Sequence, residues 1–263
     1  MCGIVGYIGP QEAAPILIQG LKRLEYRGYD SAGVAVINGA GLTVVKRPGK
    51  LRELEKALRQ AEPTGHCGIA HTRWATHGAP NQVNAHPHTS AAGDIALVHN
   101  GILENAEVIR KQLIGEGYSF ASETDTEVLV HLIDHLWDDG APLEDAVVAA
   151  LRLVDGAYGI AVVSTRDPDK IVVARHGSPL LIGVGRNGEM MTGSDAAAVI
   201  ALTREVVYLD DGDYAVLKAD GYRTFRLEGS EVDRRVHEVT WNLDAIEKGG
   251  YEHFMLKEIF EQP

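Results

Sequence analysis

The sequence predicts a layered α+β domain, and three observations carry that prediction. Short apolar, β-branched runs recur between residues 3 and 227. Amphipathic segments stand before, between and after them, and no repeat or change of composition divides the chain. At 263 residues it is long enough to bury a substantial core. Its 45% apolar and 24% charged content is ordinary for a soluble globular protein.

Residues 3–8 are short, apolar and β-branched, the pattern of a buried strand. Residues 11–25 read as a helix, with Ile16, Leu17, Leu21 and Leu24 as its apolar positions and Pro15 near its first turn. A polar, glycine-punctuated loop over 26–33 leads into strands 34–37 and 42–46, joined by a turn at Asn38-Gly39. Helix 51–61 carries Leu51, Leu54 and Leu58 on one face. Strand 68–72 then runs into a stretch without periodicity that lasts to residue 92. Such a stretch inside a compact domain is functional or disordered. Strand 95–98 ends in His99-Asn100-Gly101, and helix 105–114 has Asn105 placed to cap it. Thr124 and Glu127 match a capping box ahead of Val128, Leu129, Leu132, Ile133 and Leu136, which puts Asp125 in the first helical turn. After helix 143–154 the chain turns to short strands at 158–164, 171–174, 180–184, 190–192, 206–209, 214–217 and 223–227. One helix, 195–202, interrupts them, and a last one is expected at 252–260.

Composition removes several functional classes. A formal net charge of -12 argues against a nucleic-acid phosphate partner. Two cysteines, Cys2 and Cys67, cannot build a disulfide scaffold and have no finger spacing, so a reducing cytoplasm is expected. The first basic residue is Lys22, so a signal peptide is not expected, and no apolar run approaches the ~20 residues of a membrane span. Gly183-Val184-Gly185-Arg186-Asn187-Gly188 spells G-x-G-x-x-G, but a strand follows it, so a hairpin turn at Asn187-Gly188 is the better reading. No Walker loop or G-x-S-x-G elbow occurs.

The candidate chemistry begins at Cys2. Once Met1 is removed, Cys2 carries a thiol and a free α-amine, with ordinary pKa values of about 8.5 and roughly 7.7–8.0. Moving the proton from one to the other costs only about 1 kcal/mol, and an N-terminal amine can serve as base for its own nucleophile. The plainer reading is a small buried cysteine opening a strand. Arg73 could grip a carboxylate through two parallel hydrogen bonds or simply pair on the surface. Asn100-Gly101 could be a turn, or could offer an amide and an unhindered N–H to an oxyanion. Asp125 could meet an ammonium group or serve the helix start. His71, His77, His86, His88 and His99 invite a metal site, but without HExxH or paired cysteines loop hydrogen bonding is the default. Cys67, within a strand, reads as core packing.

Six ordered blocks then carry a family resemblance. They are Met1 to Gly6, Tyr26 to Gly33 (YRGYDSAG), His71 to Gly78 (HTRWATHG), Asn84 to His88 (NAHPH), His99 to Ile102 (HNGI) and Ser122 to Glu127 (SETDTE). Together they resemble the glutaminase half of the glutamine–fructose-6-phosphate aminotransferase (glucosamine-6-phosphate synthase) family, over essentially the whole chain. The wording of the second and third blocks favours this branch over other amidotransferases with an N-terminal cysteine. The resemblance implies a four-layer αββα sandwich of the N-terminal-nucleophile hydrolase type. It implies an amidotransferase domain over residues 1–240, and a tail over 241–263 that starts the linker to a missing sugar-phosphate isomerase half.

The same resemblance implies that Cys2 attacks the side-chain amide of L-glutamine, with Asn100 and Gly101 as oxyanion donors. Arg73 and Asp125 would hold the amino-acid ends of the substrate. Trp74, Thr76 and His77 would lie over it, His86 would join the substrate site, and Arg27 would brace the N-terminal segment. No metal or organic cofactor is implied. Fructose 6-phosphate would be bound as ammonia acceptor by the missing half, and the intact enzyme is expected to be a cytoplasmic homo-oligomer with no nucleic-acid or membrane partner. Competing readings are the glutaminase domain of a sibling amidotransferase, a non-catalytic glutamine-binding module and a metal-dependent hydrolase.

Overall fold

A computed structural model of the chain describes residues 2–25, 28, 30–74, 78–240 and 259–260. In chain order the first elements are β1 (Gly3–Ile8), α1 (Ala13–Leu24), β2 (Ser31–Asn38), β3 (Gly41–Pro48), α2 (Leu51–Ala61) and β4 (Cys67–Arg73). Then come β5 (His88–Thr89), β6 (Ile95–Leu103), α3 (Ala106–Gly115), α4 (Asp125–His135), α5 (Leu143–Leu151), β7 (Gly156–Ser164) and β8 (Asp167–His176). The last are β9 (Leu181–Val184), β10 (Met190–Gly193), β11 (Glu205–Tyr208), β12 (Asp213–Lys218), β13 (Gly221–Arg226) and β14 (Val236–Glu238).

These strands form two antiparallel sheets. One runs β14-β11-β9-β10-β1-β4-β2-β3 and the other β13-β12-β8-β7-β6-β5. Ile4, Ile8, Ile69, Val98, Val173 and Leu217 fill the space between the sheets. Val5, Tyr7, Leu17, Leu21, Val34 and Leu54 pack α1 and α2 on the outer face of the larger sheet. Leu97, Ile109, Leu129, Ile133, Val147 and Ile160 pack α3, α4 and α5 on the outer face of the smaller one. Both faces of each central strand are therefore buried, which is why β1 is apolar at successive residues instead of alternating. The layering is the expected αββα sandwich. Among the described residues no helix is long and apolar enough to cross a membrane.

Most predicted elements are present, with ends shifted by one to four residues. Three expectations need correction. Asn100-Gly101 does not end a strand: β6 continues through it, paired with β7 from Ile95↔Ser164 to Leu103↔Gly156. Sheet pairing overrides the turn preference of that dipeptide. Asn105 stands at the start of α3 but does not cap it; its side chain bridges Leu153 O (2.9 Å) and the Asp155 N–H (3.0 Å) instead. The expected helix over 195–202 is only a 3₁₀ turn at Ala196–Ala198. Val199 and Ile200 are both buried, and the Thr203 hydroxyl, bonded to Val184 O at 2.6 Å, ties the segment to β9. Asn187-Gly188 lies in the hairpin turn between β9 and β10, as read. The helix expected at 252–260 lies outside the described residues, apart from a helical Ile259 and Phe260.

Candidate active site

The site lies where one end of each sheet meets the start of α4. Pairing of β1 with β4 sets Gly3 opposite Thr72, which brings Cys2 beside the end of β4. There the Trp74 N–H donates to Cys2 Sγ at 3.2 Å, and the thiol lies 3.5 Å from Trp74 O. Gly28 packs against this corner so closely that a Cβ would fall 2.8 Å from the Arg73 carbonyl carbon and 2.9 Å from Trp74 N. Burial pushes the Cys2 thiol above its ordinary value, against the lowering effect of the Trp74 hydrogen bond, the chain terminus and Arg73.

The second sheet contributes Asn100. Its Nδ2 donates to Cys2 O at 3.2 Å, and its Oδ1 lies 2.9 Å from His71 Nε2. Gly101 follows at φ +136°, and a Cβ there would stand 1.9 Å from Ala157 O. Only glycine fits that backbone.

Arg73, the last residue of β4, is buried and donates through Nη1 to Ala79 O at 3.4 Å. Burial draws its guanidinium down, while Cys2, Asp30, Asp125 and Glu123 pull it back up. Asp125 opens α4, behind a Thr124 cap whose hydroxyl accepts from Glu127 N. Asp125 Oδ2 accepts from the Leu103 N–H at 2.9 Å, and Oδ1 lies 3.5 Å from Thr126 Oγ1 and 3.9 Å from His99 Nδ1. Asp125 thus stands at the positive end of the helix dipole. A buried guanidinium has both the thiol and this carboxylate within its electrostatic reach, and opposite charges in one site suit an amino-acid zwitterion. Trp74 stands at the rim, 45% exposed. Arg27, Thr76 and His77 lie outside the described residues.

His71, His86, His88 and His99 gather in a buried layer behind these groups. The rings of His71 and His86 lie 4.2 Å apart, and those of His86 and His88 5.0 Å apart. His86 Nε2 and His99 Nδ1 both meet Thr126 Oγ1, at 2.7 and 3.2 Å, and His88 Nε2 meets Thr124 Oγ1 at 3.1 Å. Burial draws His71 and His88 down to about 3, and lowers His86 and His99 as well. These rings are therefore neutral at neutral pH. Their hydrogen bonds run to the two threonines of the SETDTE block, with Asn100 and Ala157 O as further partners. Among the described residues no three His, Cys, Asp or Glu side chains are grouped to hold a metal ion. His86 is buried and reaches the site through Thr126, beside Asp125. Cys67 is buried, with its thiol pushed up to about 12, and packs between the sheets.

Sequence reasoning weighed His71 only as one of five histidines and gave Thr126 no role. The available signal was the polar run His71-Thr72-Arg73 closing a central strand that begins apolar. It also missed that Glu127, besides donating its N–H to the cap, turns its carboxylate back to the N–H groups of Ala121 and Ser122, at 2.8 and 2.6 Å. That contact fixes the corner leading into Asp125.

The model of a glutamine amidotransferase domain matches residues 71–201. The chain is 58% identical to the glutamine–fructose-6-phosphate aminotransferase (isomerizing) of Chlorobaculum tepidum, over 100% of this chain and 43% of that protein. It is 52% identical to the Clostridium tetani enzyme of the same name, again over 100% of this chain and 43% of the relative. It thus spans less than half the length of these relatives. Among solved structures, the glutamine phosphoribosylpyrophosphate amidotransferase of B. subtilis superposes with a TM-score of 0.74 at 28% identity, covering 86% of this chain and 49% of that one. A class-II glutamine aminotransferase domain protein from Silicibacter pomeroyi shares the fold, with a TM-score of 0.57 at 17% identity over 86% of this chain and 99% of the other. From the whole-chain identity and the shared sandwich, the chain belongs to the class II glutamine amidotransferases, on the branch of the glutamine–fructose-6-phosphate aminotransferases.

Proposed function

We propose that this chain is a glutaminase unit in which Cys2 is the nucleophile, Asn100 and Gly101 are the oxyanion donors, and Arg73 and Asp125 hold the two charged ends of L-glutamine. The observation that carries the reading is the 3.2 Å contact of Asn100 Nδ2 with Cys2 O, which brings an amide donor from one sheet to the thiol-bearing residue of the other.

With Met1 attached, the Cys2 nitrogen is an amide and cannot act as a base. Once Met1 is removed, the α-amine takes the thiol proton and the thiolate adds to the side-chain amide carbon of glutamine. The C=O electrons move to oxygen, where Asn100 Nδ2–H and the Gly101 N–H receive them; each donor of this kind is worth about 10²–10³ in rate. The ammonium of Cys2 then protonates the leaving nitrogen, and ammonia departs from a γ-glutamyl thioester. Water, deprotonated by the same amine, attacks that thioester, and glutamate leaves as the thiol is restored. Trp74 stands over the bound glutamine and His86 supports Asp125 through Thr126, while the roles the resemblance implies for Arg27, Thr76 and His77 fall outside the described residues.

Residues 1–240 form this unit, with 241–263 as its tail. In a longer protein like the curated relatives, the ammonia would pass to fructose 6-phosphate held by a second half, giving glucosamine 6-phosphate. Such a protein would be a cytoplasmic homo-oligomer without nucleic-acid or membrane partners. The test is the intact mass of the chain before and after treatment with a glutamine-like electrophile. A single adduct on Met1-free protein, absent from Cys2→Ala, is expected. Labelling at another residue, or ammonia release by Cys2→Ala, overturns the assignment.

A further inference from the structure

We propose that His71 is the positioning residue for the oxyanion donor: its Nε2–H locks the Asn100 carboxamide so that the amide N–H faces the nucleophile. The inference rests on the glutaminase reading above, and it follows from which atoms can donate.

Cys2 O can only accept, so the Asn100 atom 3.2 Å from it is the nitrogen Nδ2. The opposite atom is then Oδ1, which also only accepts. The ring nitrogen 2.9 Å from Oδ1 must therefore carry a proton, so His71 is the Nε2–H tautomer. Orientation and tautomer are thus fixed together by a chain of two hydrogen bonds. Nδ2 has two hydrogens. One is engaged by Cys2 O, and the second is left for an oxyanion formed at Sγ. Turning the amide by 180° would set Oδ1 against Cys2 O and Nδ2 against a ring N–H, losing both bonds.

The surroundings make His71 a rigid support. It is wholly buried in β4, opposite Ile4 of β1 and Gly33 of β2, with the His86 ring 4.2 Å away. Its Nδ1 is buried without a hydrogen bond of good geometry, and the His99 backbone also bears on the ring, so the one well-formed side-chain bond of His71 is the one to Asn100. Burial also keeps the ring neutral through the working pH range, with its value drawn down to about 3, so the donor does not switch with pH.

The test compares His71→Phe, His71→Gln, Asn100→Ala and the His71→Phe/Asn100→Ala double variant of Met1-processed chain, with glutaminase kcat and KM measured beside urea unfolding. His71→Phe keeps a ring and removes the donor. His71→Gln carries an amide N–H to about the reach of Nε2. Asn100→Ala should lose about 10²–10³ in kcat. For His71→Phe, kcat should fall about 10- to 100-fold with KM within about twofold, because the lost interaction acts in the transition state. His71→Gln should recover most of that loss, and the double variant should be no slower than Asn100→Ala, because the two residues act as one unit.

A low kcat in Asn100→Ala with wild-type kcat in His71→Phe would overturn the positioning role and leave the oxyanion reading standing. Equal impairment of the Phe and Gln variants would also overturn it, assigning His71 to packing. Unchanged kcat in Asn100→Ala would instead refute the oxyanion reading itself. A long-range proton–nitrogen spectrum of the wild-type chain decides the matter even if a variant does not fold. A protonated Nε2 with a bare Nδ1 on His71 is expected, and the opposite tautomer refutes the inference.

Discussion

Glu127 offers a sharp energetic prediction, because one carboxylate holds the corner that leads into Asp125. Its oxygens accept from the Ala121 N–H at 2.8 Å and from the Ser122 N–H and hydroxyl at 2.6 Å each, and His131 Nε2 stands 3.8 Å away. Burial pushes the carboxyl up, but His131, Ser122 and the two N–H groups outweigh it and bring the value from 4.5 down to about 2. That difference corresponds to on the order of 3 kcal/mol of stability at neutral pH. Because the folded-state value is the depressed one, the stabilisation is complete above the unfolded value and disappears as pH falls towards 2. Near pH 3.5 the unfolded carboxyl is about nine-tenths protonated while the folded one is still ionised, so roughly half of that stabilisation is lost.

Glu127→Gln should therefore unfold about 3 kcal/mol more easily near pH 7, since its NH₂ meets donors where an acceptor is needed. The gap to wild type should close to about half that value near pH 3.5. Urea titrations at a series of pH values read both quantities. KM for glutamine should rise with the displaced corner. A gap that stays constant from neutral pH to pH 3.5 would refute the assignment of this stability to an ionised Glu127.

Two further outcomes follow from the site. Gly101→Ala forces an L-residue into positive φ against Ala157 O, 1.9 Å from the new Cβ; strain of about 1–3 kcal/mol and a shifted Asn100 should lower the melting temperature and reduce kcat by about 10²-fold, and near-wild-type turnover would exclude a tight Gly101 backbone from the site. Arg73→Lys replaces a planar two-point donor with a single ammonium among Cys2, Asp30, Asp125 and Glu123; the loss of one charge-assisted hydrogen bond, about 1.5–3 kcal/mol, should raise KM about 10- to 100-fold with less effect on kcat, and an unchanged KM would remove Arg73 from substrate binding.

What the sequence made legible divides along a physical line. β1, α1 and α2 were readable because burial acts on each segment separately and leaves a local apolar pattern. The elements read wrongly are those decided by a partner far away in the chain. Asn100-Gly101 carries the local preference of a turn, yet its pairing with Gly159 and Tyr158 keeps it extended. Asn105 has the composition of a cap but spends its amide on residues 153 and 155. The site behaves the same way. Cys2, Arg73 and Asp125 were found as separate motifs, each with an ordinary local explanation. Their relation exists only because β1 registers against β4 while β6 crosses from the other sheet. His71 shows the limit most directly. In sequence it opens the polar end of a strand, and its meaning depends on an acceptor 29 positions away. That acceptor is itself oriented by the backbone carbonyl of Cys2, 98 positions from Asn100. A donor–acceptor chain of this kind has no periodicity to read. It becomes visible when the partners are in place, and the rule that a carbonyl cannot donate then settles each link in turn.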